Sequence, residues 1–254
     1  MKRILLGIVA LLAFPFIGSS QTNSLPTGTL SLSLQERYIA LRGSRILHEG
    51  WSLWSQINVN FPAGFYIDLW NHHALEGRSQ SKQPDELDMA LGWNRTLPRN
   101  LTLTLEHTYL NNSPLELWWN GDVMAETLAI SKTYTLGQHT LKPQVNVQWL
   151  WETRDVDSGV VVLLPNISHV WKNPFGIPKL RFAEQAFIVH DDGFKKAHND
   201  RDAIFFRWHA GLKWQLTERM TLTLPSFIAL VPLQKGKDGR NKATSWGTSL
   251  SYSF

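Results

Sequence analysis

Large apolar residues alternate with small or polar residues along most of the chain. In the last ten residues, SWGTSLSYSF, Trp246, Leu250 and Tyr252 lie at even-numbered positions, and small or polar residues occupy the odd-numbered positions. We call each of these two alternating sets of positions a parity. Successive side chains point to opposite faces of a strand, whereas a helix repeats about every 3.6 residues. The alternation therefore predicts an all-β protein.

Twelve candidate strands carry this alternation to different degrees. It is clear in WSLWSQINVNF, LTLTLEHTY and LKPQVNVQWLW, and it is weak in GVVVLLPNISHVW and KLRFAEQAFIV. Trp54 departs from the pattern, because it lies on the polar parity of its strand. Twelve strands are the main prediction, and ten or fourteen strands are the alternatives.

The connections between these strands alternate in length. Short connections rich in turn residues are found at 62–64, 97–100, 135–138, 173–178 and 217–219. Longer polar connections are found at 42–50, 74–85, 111–122, 153–159, 190–202 and 234–242. Outer-membrane barrels have short periplasmic turns and long external loops, whereas Greek-key crossovers in a soluble sandwich mix the two. The pattern predicts a transmembrane up-and-down antiparallel β-barrel.

The first twenty residues are typical of an export signal. Met1-Lys2-Arg3 is followed by an apolar run from Ile4 to Ile17 and then by small residues. This run is too short to span a membrane comfortably, so cleavage before Gln21 is predicted. The expected domains are a signal peptide over 1–20 and one barrel domain over 21–254, located in the outer membrane of a Gram-negative bacterium.

Composition agrees with a membrane barrel and argues against two other classes. The chain has no cysteine, which excludes a disulfide-stapled secreted domain and the lipid-attachment cysteine of a lipoprotein. Its net charge is +4 and falls further once Lys2 and Arg3 are removed, so no nucleic-acid partner is expected. The twelve tryptophans and twelve phenylalanines fit aromatic belts at the two edges of a lipid bilayer.

The chain ends on an aromatic residue at the end of a predicted strand. Outer-membrane barrels typically finish in this way, and pairing the last strand with the first removes both sheet edges. We therefore expect outer-membrane lipid around the barrel and recognition of the C-terminal strand by the barrel assembly machinery. The predicted assembly signal consists of Leu250, Tyr252 and Phe254.

Residues 36–94 resemble the opening of the TorF or Gcw_chp family of proteobacterial proteins, most of which have no known function. The resembling features are Tyr38 followed by Arg42-Gly43, Gly64-Phe65-Tyr66 with Trp70, and Glu86-Leu87-Asp88 before Gly92. The resemblance implies an outer-membrane β-barrel and brings no substrate, cofactor or catalytic residue with it.

A membrane barrel turns its polar faces inward, so strand parity predicts which residues line the lumen. Acidic residues gather on the third to fifth predicted strands, and basic residues on the seventh and tenth. Such a lumen could carry a transverse field that orients polar solutes or ions, or its charges could neutralise one another and fill it. The predicted lining residues are Tyr66, Asp68, His72, Glu86, Asp88, Glu106, Lys142, Gln144, Arg207, His209 and Lys213.

The sequence contains no convincing catalytic set, and no cofactor or metal site is predicted. Ser168 and His169 are neighbours on one strand, so their side chains point to opposite faces. Asp68, His72 and Asp88 could meet as an acid–base cluster, although a structural hydrogen-bond network is a simpler account. The leading hypothesis is a narrow channel for small polar solutes or ions. The alternatives are a closed barrel with a structural or adhesive role through its external loops, and an outer-membrane barrel hydrolase.

Overall fold

The computed structural model describes seven stretches of the chain. The predicted signal peptide and most residues of the long connections lie outside them. No helix in the described stretches is both long and apolar enough to cross a membrane. The described residues are 25–39, 46–77, 85–111, 122–152, 158–191, 203–233 and 242–254.

Thirteen antiparallel strands form one sheet. Neighbours in sequence are neighbours in space, β1 pairs with β13, and β6 pairs with β8, so twelve strands close into a barrel. The strands are β1 (Thr27–Ile39), β2 (Ile46–Asn60), β3 (Phe65–Ala74), β4 (Asp85–Leu97), β5 (Leu101–Asn111), β6 (Val123–Lys132), β7 (Tyr134–Leu136), β8 (His139–Glu152), β9 (Ser158–Lys172), β10 (Leu180–Asp191), β11 (Ala203–Gln215), β12 (Met220–Pro232) and β13 (Ala243–Ser253).

The predicted twelve-stranded up-and-down barrel is confirmed, with one addition. The short strand β7 forms a hairpin with the start of β8 around Gly137, which has a φ of 60°. This hairpin continues beyond the end of β6 at Lys132, so the predicted sixth strand is divided at Thr133. The seventh to twelfth predicted strands correspond to β8 to β13.

Strand β2 begins earlier than the sequence indicated. Ile46 to Gly50 were assigned to a long polar connection, but they belong to the strand. Gly50 has a φ of 124° and lies where the β1–β2 register shifts, so it absorbs an extra residue of β2. The polar composition of this stretch concealed a strand that continues past the regular ladder.

The short connections lie together at one end of the barrel, called here the short-turn end. Three of them contain a three-residue 3-10 turn that begins with proline and has its middle residue at a positive φ, namely Ala63, Arg99 and Phe175. Proline presets the first turn position, and the left-handed residue after it reverses the chain within three residues. The opposite end, where the strands lead into the long connections, is called the long-loop end.

The strands separate an exposed apolar face from a more buried face. On β3, Ile67 and Leu69 are exposed, whereas Tyr66 and His72 are buried. The same division continues to Trp149 on β8, which is 62% exposed. Because the sheet is closed, the buried face is the inner face of the barrel and the apolar exposed face is its outer face.

Candidate functional site

The inner face of β3 to β5 carries carboxylates held by neutral donors. The Tyr66 hydroxyl donates to Glu106 Oε2 at 2.6 Å, and the Thr108 hydroxyl donates to Glu106 Oε1 at 3.1 Å. On the neighbouring strand pair, Gln56 Nε2 donates to Asp68 Oδ2 at 2.7 Å. These bonds fix the positions of the carboxylates without compensating their charge.

Tyr66 occupies its site because Gly92 lies directly opposite on β4. A Cβ at position 92 would overlap the tyrosine ring. The ring therefore lies flat across the glycine and points its hydroxyl toward Glu106, two strands away from its own. This combination of aromatic residue and strand glycine fixes the register locally and positions the acid.

An aromatic cluster lies above this acidic wall, toward the long-loop end. Tyr38 donates a hydrogen bond to Glu86, and its ring centroid lies 4.4 Å from His72, 5.5 Å from Trp54 and 5.7 Å from Trp70. The His48 ring meets His72 at 5.8 Å. We call the following five residues the aromatic cluster: Tyr38, His48, Trp54, Trp70 and His72.

The opposite part of the inner face carries a buried arginine on β11. Arg207 Nη2 donates to the backbone oxygen of Ile39 on β1 at 3.0 Å, and Arg207 Nε donates to His209 Nε2 at 2.7 Å. Strands β12 and β13 separate β11 from β1 in the sheet. The bond to Ile39 therefore crosses the interior, which must be narrow at this height.

Apolar side chains from several strands pack together at the long-loop end of the interior, beside buried polar groups such as Arg207 and His48. Ile39 on β1 and Leu150 on β8 lie at opposite points of the twelve-strand ring, yet both belong to one contiguous buried cluster and are at most 1% exposed. Such burial at both positions means that side chains meet across the barrel. We call this cluster the apolar plug; its residues are Ile39, Val123, Ala125, Leu150, Leu163, Phe187, Val189, Phe205, Ile228, Leu230 and Ala243.

The short-turn end of the interior is polar and carries cations. Arg181 and Lys213 are directly opposite each other on β10 and β11, and Lys142 lies two strands away on β8. Arg181 Nη2 donates to Gln215 Oε1 at 3.3 Å. Within the described residues, no acidic side chain forms an ion pair with any of these three cations, which we call the mouth cations. They place positive charge at this opening.

The eleven predicted lining residues all lie on the inner face, at different heights. Tyr66 meets Glu106, Arg207 meets His209, and His72 lies opposite Glu86 in the β3–β4 ladder. Asp68 and Asp88 lie on the same wall, opposite Ala90 and Trp70. Gln144 lies near Lys142 on β8, on the same side of the barrel as Lys213. Their role along a solute path stays a prediction.

Sequence reasoning missed several residues of the interior. His48 fell in a predicted connection, and Trp54 was noted only as a departure from parity. Trp70 lay on the correct parity but was named only for the family resemblance and not as a lining residue. The signal that could have found the tryptophans is that both interrupt a polar parity on neighbouring strands, directly across from polar inner positions.

Two members of the acid–base cluster considered from sequence make contacts with other residues. Asp68 is bonded to Gln56, and His72 packs in the aromatic cluster, with its ring centroid 4.4 Å from that of Tyr38. Ser168 is on the inner parity and His169 on the outer, as the register with β8 requires. Among the described residues, no group of three or more histidine, aspartate or glutamate side chains could hold a metal ion.

The C-terminal strand closes the barrel up to its last residue. The Phe254 nitrogen donates to the Gly28 oxygen, and the Gly28 nitrogen donates to the Phe254 oxygen, both at 3.0 Å. The side chains of Leu250, Tyr252 and Phe254 are exposed on the outer face. Their proposed recognition by an assembly machinery stays a prediction.

Solved outer-membrane barrels share this architecture. The NanC porin superposes with a TM-score of 0.58 at 12% identity, covering 88% of this chain and 98% of that chain. An outer-membrane channel from Pseudomonas putida F1 gives 0.56 at 10% identity, covering 94% and 99%. The KdgM porin gives 0.55 at 7% identity, covering 90% and 99%.

In sequence, no protein-family model and no curated protein matches this chain. The resemblance to the TorF family in particular therefore stays a prediction. At 7 to 12% identity, the structural likeness concerns the fold alone. The chain folds as a closed, porin-like barrel of the outer-membrane type.

Proposed function

We propose that the protein is an outer-membrane barrel that acts as a narrow channel for small polar solutes or ions. The observation that carries this proposal is the inversion of the barrel, with apolar side chains exposed outside and polar, charged side chains within. That arrangement suits a lipid surround and an aqueous interior. The similarity of the fold to solved outer-membrane porins supports the same proposal.

The two halves of the path differ in polarity and in width. The polar half at the short-turn end contains the mouth cations and the carboxylates of β3 to β5, and the apolar plug narrows the other half. Three cations without acidic partners favour anionic solutes at the mouth. A solved structure has the KdgM porin in complex with disordered oligogalacturonate. We propose that this chain also passes anionic solutes, because of its mouth cations.

Planar-bilayer conductance of the purified full chain tests the channel. We expect discrete current steps above the blank bilayer, and a reversal potential in a salt gradient that indicates preference for anions. Lys213→Glu should move that potential toward cations. Lys179→Glu makes the same charge change at an exposed turn position and is the matched control. Unchanged selectivity in Lys213→Glu would contradict the proposed path.

The apolar plug favours a second candidate, a closed barrel with a structural or adhesive role through its external loops. Its residues leave little room for water at the long-loop end. Protein with verified heat-modifiable gel mobility but no current above the blank bilayer would support this second candidate and exclude the channel. Fractionation of cells and the mass of the mature chain test the proposed outer-membrane location and cleavage before Gln21.

A further inference from the structure

Three cations form a row on the inner face at the short-turn end. Lys172 is directly opposite Arg181 in the β9–β10 ladder, and Arg181 is directly opposite Lys213 in the β10–β11 ladder. Neighbouring strands lie about 5 Å apart, so the three backbone positions together span about 10 Å. We call Lys172, Arg181 and Lys213 the cation row. The remaining mouth cation, Lys142, is opposite Ser168 and lies outside this row.

The charges of the cation row are not compensated by acidic side chains. Like charges placed directly opposite each other destabilise a sheet. The outer face of the same β9–β10 pair shows a stabilising arrangement, in which His169 Nδ1 lies 3.0 Å from Glu184 Oε1. In the described part of the chain, no acidic side chain forms an ion pair with the row, although Glu218 lies in the adjoining β11–β12 turn. A local arrangement that costs stability is typical of a functional site, where a ligand supplies the opposite charge.

The cation row is accessible and has neutral polar neighbours. All three of its residues are exposed, and they lie at the opposite end of the barrel from the apolar plug. Arg181 Nη2 donates to Gln215 Oε1 at 3.3 Å, and Thr223 is directly opposite Lys213 in the β11–β12 ladder. A guanidinium has five N–H donors, so the bond to Gln215 leaves others for a ligand. The Thr223 hydroxyl and the Gln215 amide add neutral donors beside the row.

The number and type of these cations fit a phosphate group better than a carboxylate. A phosphate monoester carries about 1.5 to 2 negative charges at neutral pH and has three strong acceptor oxygens. A carboxylate carries one charge on two oxygens. Arginine binds phosphate through two parallel N–H bonds, whereas lysine acts as a compact point charge. A row with an arginine between two lysines can therefore contact all three oxygens and balance both charges.

We propose that the cation row binds the phosphate of a small phosphate monoester at the short-turn opening. Arg181 holds two phosphate oxygens through its planar fork, and Lys172 and Lys213 add charge from either side. This binding relieves the repulsion within the row, so the ligand should also stabilise the barrel. The role of the row as an entry site for solutes rests on the proposed channel function, and it narrows the anionic solutes to one chemical class.

Isothermal titration calorimetry of the purified full chain tests this proposal. Methyl phosphate is compared with methyl sulfate, which has the same tetrahedral shape but one negative charge. The titration is done at about pH 8, above the second pKa of a phosphate monoester, and at low ionic strength, because salt screens exposed charges. We expect one site that binds methyl phosphate roughly tenfold more tightly, as one additional charge beside three cations implies. Equal affinity for the two ligands would overturn the proposal.

Two variants and one control locate the site. Arg181→Gln removes the central cation and should weaken methyl phosphate binding by roughly tenfold or more. Without ligand, the same variant should unfold at a higher urea concentration than the wild type, because the repulsion within the row is reduced. Arg181→Lys keeps the charge but removes the fork, so its affinity should fall between the two. Arg99→Gln makes the same change as Arg181→Gln at the exposed β4–β5 turn, outside the row, and should bind like the wild type.

The remaining outcomes also decide the matter. Unchanged affinity in Arg181→Gln would refute this location, and equal losses in Arg181→Gln and Arg99→Gln would mean that only the overall charge of this end matters. Succinate, a dicarboxylate, binding as tightly as methyl phosphate would refute the phosphate class. Calorimetry needs no current, so its failure is distinguishable from that of the channel. Folded protein that binds methyl phosphate but does not conduct would support the site and exclude its role in entry, whereas conducting protein without binding would refute the site alone.

Discussion

Replacing Gly92 by alanine probes the packing that holds the acidic wall in place. The new Cβ would overlap the Tyr66 ring, which is 7% exposed and donates to Glu106. Losing a hydrogen bond to a charged group costs about 1.5–3 kcal/mol, and partial exposure of the ring adds about 1 kcal/mol. Alanine recovers about 0.5–1 kcal/mol of strand entropy relative to glycine. We expect a net loss of about 1.5–3.5 kcal/mol in the free energy of unfolding.

A double-mutant cycle with Tyr66→Ala isolates this effect. Unfolding in urea is followed by tryptophan fluorescence, with the protein reconstituted in lipid vesicles. Once the ring is absent, Gly92→Ala should be neutral or stabilising by up to about 1 kcal/mol, so the two positions should be strongly coupled. Equal destabilisation in both backgrounds would refute the argument, because the cost would then not come from the ring.

Three further predictions concern closure, orientation and the plug. Deleting Phe254 should reduce accumulation in outer-membrane fractions far more than Phe254→Tyr; equal amounts of the two would contradict the assembly role. Leu69→Lys on the outer face should lower the free energy of unfolding by about 2–4 kcal/mol, whereas Thr104→Lys on the inner face should cost less than about 1 kcal/mol; the reverse order in urea titrations would mean that the faces are misassigned. Phe205→Ala in the apolar plug should cost about 3–5 kcal/mol; a loss below about 1 kcal/mol would show that the site is wet.

Parity was enough to predict the barrel and its two faces. Leu69 is exposed and His72 is buried because a closed sheet leaves no third environment for their side chains. The number of strands followed from the alternation together with the short turns. The β7 hairpin was not predictable from the sequence. It continues the alternation of β6 past Lys132, where the pairing of β6 with β5 ends.

The apolar plug was missed because its strands look irregular in sequence. In KLRFAEQAFIV, Phe187 and Val189 enter the plug while Ile188 faces outward, so apolar residues occupy both parities. On β12, Ile228 and Leu230 also enter the plug. A strand that is apolar on both faces loses its alternation. Weak alternation at the long-loop end was therefore itself a sign of a filled interior.

Whether the lumen is open or filled depends on the position along the barrel axis. The two ends of the barrel should control different properties of a channel. At the long-loop end, any path must pass the apolar side chains of the plug, so we expect the exclusion of water to form a barrier to ions there. At the short-turn end, Lys213 and the other mouth cations act by their field. Phe205→Ala should therefore change the size of the current and leave the reversal potential in place. Lys213→Glu should do the opposite, and variants that shifted both quantities together would place barrier and charge at the same height.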